Sequence, residues 1–419
     1  MRDRFIAAID LGSSAIRLAV GQVTVDSDRR EILSMIGADE VLSVGISKGA
    51  VQSLDDVTSA VSAVLDRVER NIGIPVTEVY VGVGGAQVQV KPTKGVVGIS
   101  NPDGIREEDY RRVLEHAAQS SHSANYEVLH RLPQRFTIDG QQSIKDPVGM
   151  QGARLEAEVC VIQGLVGHVR NITQSVMRTN VDVTGLVFSP LATAEAFLTP
   201  RQRDLGSALV NIGATTTSLA VFEDGELLHA VILPIGSDHV TRDIALGLQT
   251  SLEVAEQCKW HFVHGVSENM SNTEAIDLQE LGAPESEFAY PRYISDIAVA
   301  RLEEIFEKIE EELQKIGRSG MLSAGVVITG GGAKTRGIVD VARRVLRLPA
   351  VVASGSTIHT PLIEIAKDPA YATVISLLQW GYEDERGAQG IRSSAVASGD
   401  QLLKKVGGPL KKIFKSFIP

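Results

Sequence analysis

The residues best suited to chemistry come in two matched sets. Residues 9–20, IDLGSSAIRLAV, and residues 210–221, VNIGATTTSLAV, stand at a constant offset of 201 positions. Each reads as an apolar strand, a short turn of glycine and hydroxyl residues, and a second apolar strand, which is a hairpin pattern. Gly12 and Gly213 allow a backbone conformation and a closeness of approach that a side chain would forbid. Successive N–H groups in such a turn form an anion-binding hollow, and Ser13, Ser14, Thr215 and Thr216 add hydroxyl donors. Asp10, at the end of its strand, offers the oxygen ligand that Mg²⁺ prefers. Two such tips facing each other would clamp a triphosphate. In a P-loop or a dinucleotide fold a helix follows the glycines. Here Ile16–Val20 continues as strand, which excludes both. A third cluster, VVITGGGAK at 326–334, runs a buried strand into Gly330, Gly331 and Gly332 and then, from Gly337 to Leu346, into a helical pattern. Such a turn can pass beneath a flat base or sugar.

These tips need a scaffold of related halves. A period of this length is no solenoid; it suggests two related half-molecules, duplicated α/β lobes whose facing tips would leave a nucleotide cleft between them. Val57, Ala60, Val61, Val64, Leu65 and Val68 predict a helix over Ser53–Asn71. Val79–Gly85 is an apolar strand ending in glycines. Residues 83–160 read as an inserted small α/β subdomain: a strand at Gln87–Lys91, a helix at Glu107–Ser120, and strands near Val128–Leu132 and Leu155–Val161. Residues 1–82, 161–190 and 371–382 form the first lobe, with a helix at Val166–Thr179. Residues 191–225 and 301–370 form the second, and 226–300 its smaller subdomain, with helices near 237–248 and 251–264. The stripe Ile297, Leu302, Ile305, Phe306, Ile309, Leu313 and Ile316 predicts a long helix over Tyr293–Ile316 with an acidic outer face.

Composition narrows the function. Hydrophobic residues make up 43% of the 419 residues and charged ones 22%, enough to bury a real core. A net charge of −11 with only 5% aromatic residues argues against a nucleic-acid binder. Cys160 and Cys258 are too few and too far apart for a disulfide scaffold or structural zinc. His261 and His264 lack a third ligand, and Cys258 reads as packing. No run of about 18 apolar residues exists, and MRDRFIAAID enters a strand pattern without a signal-peptide core, so a cytoplasmic protein is expected.

The charge is uneven. Residues 404–419 hold five lysines and no acid, so the rest of the chain carries −16 against a net −11. Residues 383–406 are polar and contain Gly and Ser, which reads as a flexible linker. Beyond Pro409, Leu410, Ile413, Phe414, Phe417 and Ile418 recur at helical spacing, with Lys411, Lys412 and Lys415 opposite. A basic amphipathic helix this short is marginal in water but suits an anionic lipid surface. Its apolar side chains are worth on the order of 5–10 kcal/mol gross, and each lysine adds about 1 kcal/mol before screening. One copy would bind weakly and several tethered copies firmly.

DLGSS, NIGATTTS and VVITGGGAK, in this order, resemble the phosphate and nucleoside turns of the actin, Hsp70 and sugar-kinase superfamily. The block from Leu129-His130-Arg131-Leu132-Pro133 to Asp146-Pro147-Val148-Gly149, the segments around Ala255–Lys259 and His264-Gly265, and the tail resemble the FtsA family of cell-division proteins over essentially the whole chain. That resemblance implies ATP and Mg²⁺ as cofactors. Asp10, Gly12, Ser13 and Ser14 would form the first phosphate turn, with Asp10 near Mg²⁺ and Arg17 reaching toward phosphate. Asn211, Gly213, Ala214, Thr215 and Thr216 would form the second, and Gly236 would also bind the nucleotide. Glu256 and Lys259 would flank the adenosine from one side, and Gly330, Gly331, Gly332 and Lys334 from the other. It further implies a peripheral protein on the cytoplasmic face of the membrane at the division site. Its partners would be the C-terminal tail of FtsZ (Arg301 pairing with an acid of that peptide), further copies of itself in filaments, anionic lipids, and other division proteins met by the insert. The superfamily usually has Asp where Asn211 stands, and Ala214 replaces a glycine. An amide is no carboxylate ligand or base, so ATP binding with at most slow hydrolysis is expected. A small-molecule kinase or ATPase of the same fold is the alternative, which Asn211 and the tail disfavour. A pilus-assembly ATP-binding protein is a third, disfavoured by the tail and the Pro133–Gly149 block.

Overall fold

A computed structural model describes residues 4–25, 30–101, 103–120, 124–266, 274–355 and 358–396. The basic amphipathic segment 407–419, with Leu410, Lys411, Lys412, Ile413, Phe414, Lys415, Phe417 and Ile418, lies outside them.

Two five-stranded sheets share one topology. In the first, Glu31–Leu42, Ala15–Val25 and Arg4–Leu11 form an antiparallel meander, to which Glu78–Val83 and then Asp182–Phe188 add in parallel. In the second, Glu226–Leu233, Thr217–Glu223 and Ser207–Ile212 form the meander, and Val326–Thr329 and Ala350–Val352 add in parallel. The duplication holds to the residue: Asp10 pairs with Arg17 and Asn211 with Ser218, Ile9 with Leu18 and Val210 with Leu219. Gly12–Ser14 and Gly213–Thr216 therefore sit at equivalent ends of equivalent hairpins.

Local rules set the crossover after the first meander. Ser53 caps the helix Leu54–Ile72 by accepting the Asp56 N–H, Asp55 and Asp56 face its positive end, and Gly73 closes it in the left-handed region at φ 71°. Val57, Val61, Val64, Leu65 and Val68 are buried against the sheet, each worth roughly 1.5–3 kcal/mol. The equivalent crossover of the second lobe is longer: helices Ser237–Leu248, Leu252–Phe262 and Pro291–Lys315. The long helix carries the predicted stripe, with Leu302, Ile305, Phe306, Ile309 and Leu313 all buried.

The insert is a four-stranded sheet, Val88–Gly98, Arg154–Leu165, Tyr126–Ile138 and Gln141–Ile144 in spatial order, with the helix Glu107–Ser120 on one face. Val113, Leu114, Phe136, Leu155, Val159 and Val161 belong to its own core. His130 ties it to the first lobe. Its Nε2 accepts the Phe188 N–H at 2.9 Å, and burial pulls the imidazole down to about 4, which keeps it neutral and able to accept.

Three expected boundaries move. Arg154–Leu165 runs through position 161 as one strand. Glu226–Leu233 belongs to the main second sheet rather than to the smaller subdomain, because it pairs with Thr217–Glu223 along its length. The expected linker does not begin at 383. The helix Ala372–Val396 continues through that position, and its polar residues are fastened to the first sheet. The Tyr80 hydroxyl donates to Asp384 at 2.9 Å, Arg4 pairs with Glu385 at 3.2 Å, and the Tyr382 hydroxyl donates to the Glu31 carbonyl at 3.0 Å.

Candidate nucleotide site

The hairpin tips meet across a cleft of about 560 Å³ between the lobes. The Thr215 hydroxyl donates to Ser13 Oγ at 2.7 Å, a direct contact between one turn and the other. Asp10, Gly12, Ser13, Ser14, Arg17, Asn211, Gly213, Ala214, Thr216, Glu256, Lys259, Gly330, Gly331, Gly332 and Lys334 all line the cleft. Two expected residues do not. Thr215 turns toward Ser13 and the Lys48 N–H, which donates to it at 3.0 Å. Gly236 packs behind the second turn, where a Cβ would stand 2.5 Å from the Gly213 carbonyl. The helix that Gly236 opens shapes this turn: Ser237 N–H donates to Gly213 O at 2.9 Å and Asp238 N–H to Ala214 O at 2.8 Å.

Asp10 lies half-buried on the cleft floor. Burial raises its carboxyl to about 6, and the nearby Arg17 charge only partly offsets this. Arg17 is held in turn by Glu40, its cross-strand partner, at 2.7 Å, and stands over the Tyr371 ring at 5.2 Å. Asp10, Arg17 and Glu40 thus occupy adjacent strands in one row. A carboxylate so short of stabilising donors is suited to a hard cation. Asp10 offers the kind of oxygen ligand that Mg²⁺ prefers. Among the described residues no cluster of three or more His, Cys, Asp or Glu could hold a metal by itself.

The opposite wall is a hydrogen-bonded unit. Lys259 Nζ donates to Thr241 Oγ1 at 2.8 Å and pairs with Glu256 at 2.7 Å; the Thr241 hydroxyl donates to Glu256 at 2.6 Å, and Trp260 Nε1 donates to Glu256 at 2.9 Å. Burial pushes Glu256 up, but the hydrogen bonds from Lys259 and Thr241 and the lysine charge outweigh it and leave the carboxyl below its usual range. Facing this unit, Gly330 takes φ 85°, and a Cβ there would meet Asn211 Oδ1 at 2.3 Å. At Gly331 nothing lies within 4 Å of a would-be Cβ, so the backbone presents an open face to the cleft. Lys334 pairs with Asp368 at 2.6 Å. Asn211 donates through Nδ2 to Thr373 Oγ1 at 2.9 Å and is engaged as an amide.

The cleft also uses residues the sequence did not single out. Gly82, Gly84 and Gly85 line it from the first lobe. Ala8 pairs with Tyr80 as Leu209 pairs with Val327, which makes Gly84 and Gly85 the counterparts of Gly331 and Gly332. The signal was present in two glycine-ended strands, but differing crossover lengths break the 201-residue offset. Glu40, Gly49, Ser189, Trp260, Arg336 and Thr373 are among the other residues that line it.

Arg301 does not stand free as a cation for a peptide. It is bidentate to Asp243, at 2.5 and 3.0 Å, and also bonds Glu304. Cys258 is buried in the second-lobe core, as its packing role requires. His264 Nδ1 accepts the Val266 N–H at 3.2 Å.

Duplicated meander sheets that present paired turns to a common cleft define an actin-like ATPase fold. Solved structures agree. The chain of a PilM–PilN type IV pilus biogenesis complex matches with a TM-score of 0.65 at 15% identity, covering 90% of this chain and 98% of that one. MreB5 of Spiroplasma citri bound to AMPPNP matches with a TM-score of 0.51 at 12% identity, covering 93% and 99%. The family model for cell division protein FtsA matches residues 208–376, and that for the SHS2 domain inserted in FtsA matches residues 85–163. The cell division protein FtsA of Bacillus subtilis is 33% identical over 380 residues, 90% of this chain and 84% of that protein. The chain belongs to the FtsA family of cell-division proteins.

Proposed function

We propose that the cleft binds Mg²⁺–ATP and that the bound nucleotide governs a division protein which joins the membrane to the FtsZ cytoskeleton. The observation that carries the nucleotide reading is the contact of the two hairpin tips, Thr215 to Ser13 at 2.7 Å, beside a half-buried carboxylate raised to about 6. The N–H groups of 12–14 and 213–216 would hold phosphate oxygens from two sides. Asp10 would support Mg²⁺, which supplies charge neutralisation of the phosphates when bound. The Thr241–Glu256–Lys259 unit and the open face of Gly331 would enclose the nucleoside. Asn211 cannot accept a proton from water, so hydrolysis is slow and the bound state is long-lived.

Attachment to the membrane falls to the basic amphipathic segment 407–419. Among the described residues no helix is long and apolar enough to cross a membrane, which accords with a peripheral mode. For the FtsZ tail, the smaller subdomain offers exposed apolar side chains: Leu246 at 77%, Phe288 at 70%, Tyr293 at 50% and Tyr290 at 48% exposure. Tyr293 packs beside Gly247, next to Leu246. Arg301 would shape this face through Asp243 rather than by pairing with the peptide. Self-association would gather many weak tails, and residues 83–160 would meet other division proteins. The test is co-sedimentation with phosphatidylglycerol vesicles, with and without Mg²⁺–ATP and the FtsZ tail peptide. Binding that requires 407–419 and increases with ATP supports the reading; binding indifferent to both refutes it.

A further inference from the structure

We infer that Gln134 is a positioning residue for the nucleotide cleft: it clasps the insert to the second lobe, so that the insert helps to set how the two lobes meet. The inference rests on the nucleotide reading above and adds the route by which the insert and the cleft act on each other.

Gln134 belongs to the Leu129–Gly149 block and to the insert strand Tyr126–Ile138, which pairs with Arg154–Leu165. Pro133 stands opposite Val159 and Arg135 opposite Glu158, so Gln134 has no partner in the ladder and forms a β-bulge. Pro133 brings no N–H to the ladder at this point, and bulges are where proline is tolerated within a sheet. The extra residue of a bulge is free of the strand's pairing and can be aimed elsewhere.

Its target is the second lobe. Gln134 Nε2 donates to the Leu227 carbonyl at 2.8 Å. Leu227 adjoins a bulge of its own: it faces Phe222 while His229 faces Val221, which leaves Leu228 over between them. The neighbouring Arg135–Asp224 pair spans the same gap at 3.6 Å, but its side chains are 53% and 68% exposed, and a pair so wet adds little. The half-buried amide bond is the firmer of the two links.

Each end of this contact continues to the cleft. Leu227 and Ile232 share the strand Glu226–Leu233, and Ile232 lines the cleft. A Cβ on Gly84, in the first lobe, would stand 3.9 Å from Ile232 Cδ1, so the lobes come close together there. On the insert's side, His130 precedes Gln134 by four residues and accepts the Phe188 N–H. Ser189, the next residue, lines the cleft, and a Cβ on Gly82 would meet its Oγ at 2.7 Å. One insert strand thus grips the first lobe through His130 and the second through Gln134. A nucleotide held by both hairpin tips fixes the lobes relative to each other, and a strap between the same lobes favours that arrangement. The coupling is reciprocal: if the clasp strengthens nucleotide binding, the nucleotide strengthens the clasp.

The test uses the full chain and two variants. Gln134→Met keeps the length of the side chain and removes the donor; Gln134→Lys keeps a donor able to reach the same carbonyl. Stopped-flow release of a fluorescent ATP analogue, with Mg²⁺, should be about two- to tenfold faster from Gln134→Met, the range one neutral hydrogen bond can transmit. Gln134→Lys should return most of the way to the parent rate. Hydrogen exchange over 126–138 should slow when Mg²⁺–ATP binds the parent and slow less in Gln134→Met. A Gln134→Met chain that melts at a lower temperature, yet releases nucleotide at the parent rate with the same ATP-dependent protection, would overturn the inference while leaving nucleotide binding intact. So would a faster release that Gln134→Lys fails to correct. Failure of the unsubstituted chain to bind ATP would overturn the nucleotide reading and this inference with it.

Discussion

Replacing Asp10 with asparagine should make the nucleotide-free protein more stable and its nucleotide complex weaker. The carboxyl stands at about 6 against an ordinary 3.8, raised by burial in the cleft floor and only partly relieved by Arg17. The folded state therefore holds the proton more tightly than the unfolded chain. Stability falls as pH rises through the window between the two values and then levels off. A shift of roughly two units corresponds to about 3 kcal/mol of penalty at pH 7.5, and about half of that at pH 5. An amide of the same shape removes the penalty. Urea unfolding of the parent and Asp10→Asn, without nucleotide, should show the variant more stable by on the order of 2–3 kcal/mol at pH 7.5, with a smaller gap at pH 5. Mg²⁺–ATP titrations of the parent should show affinity rising with pH through about 6, as Asp10 ionises, and the variant should lack that dependence. A variant no more stable than the parent at pH 7.5, or a gap that widens at pH 5, would refute the placement of a strained carboxylate at this site.

Glycines of the 330–332 turn should separate by role. Gly330→Ala should lower stability by on the order of 1–3 kcal/mol, read by unfolding, because a Cβ meets Asn211 Oδ1 at 2.3 Å and φ is 85°. Gly331→Asp should fold normally, since nothing lies within 4 Å, yet weaken ATP binding by at least about tenfold by placing a charge in the cleft. Asn211→Asp should keep the Thr373 contact, with the hydroxyl now donating, and raise the single-turnover hydrolysis rate; an unchanged rate would show that the missing carboxylate is not what limits turnover. Deleting 407–419 should abolish co-sedimentation with phosphatidylglycerol vesicles while leaving ATP affinity unchanged in calorimetry.

Local chemistry makes the hairpin tips readable. Strand, glycine and hydroxyls lie within a dozen residues, and the copies share an offset, so residue types and spacing alone put Asp10, Gly12 and Gly213 in the cleft. Residues set by long-range register are hidden from such a reading. Arg17 meets Glu40 only because Ala15–Val25 pairs with Glu31–Leu42 in one particular alignment. Gly84 and Gly85 repeat Gly331 and Gly332, but crossovers of different length hide the match. In a turn where Ala214, Thr215 and Thr216 adjoin, side-chain direction is decided by the first lobe's Ser13 and by Lys48, and Thr215 leaves the cleft wall for them. Polar composition misplaces the end of the body at 383, because Asp384 and Glu385 look solvated in sequence while Tyr80 and Arg4 claim them in the fold.

The most direct test of the paired phosphate clamp is a crystal structure of the full chain with Mg²⁺ and a non-hydrolysable ATP analogue. The phosphates should lie between Gly12–Ser14 and Gly213–Thr216, with the metal beside Asp10 and the nucleoside between the Glu256–Lys259 helix and Gly331. An analogue bound outside this cleft, or with its phosphates touching only one of the two turns, would contradict the clamp.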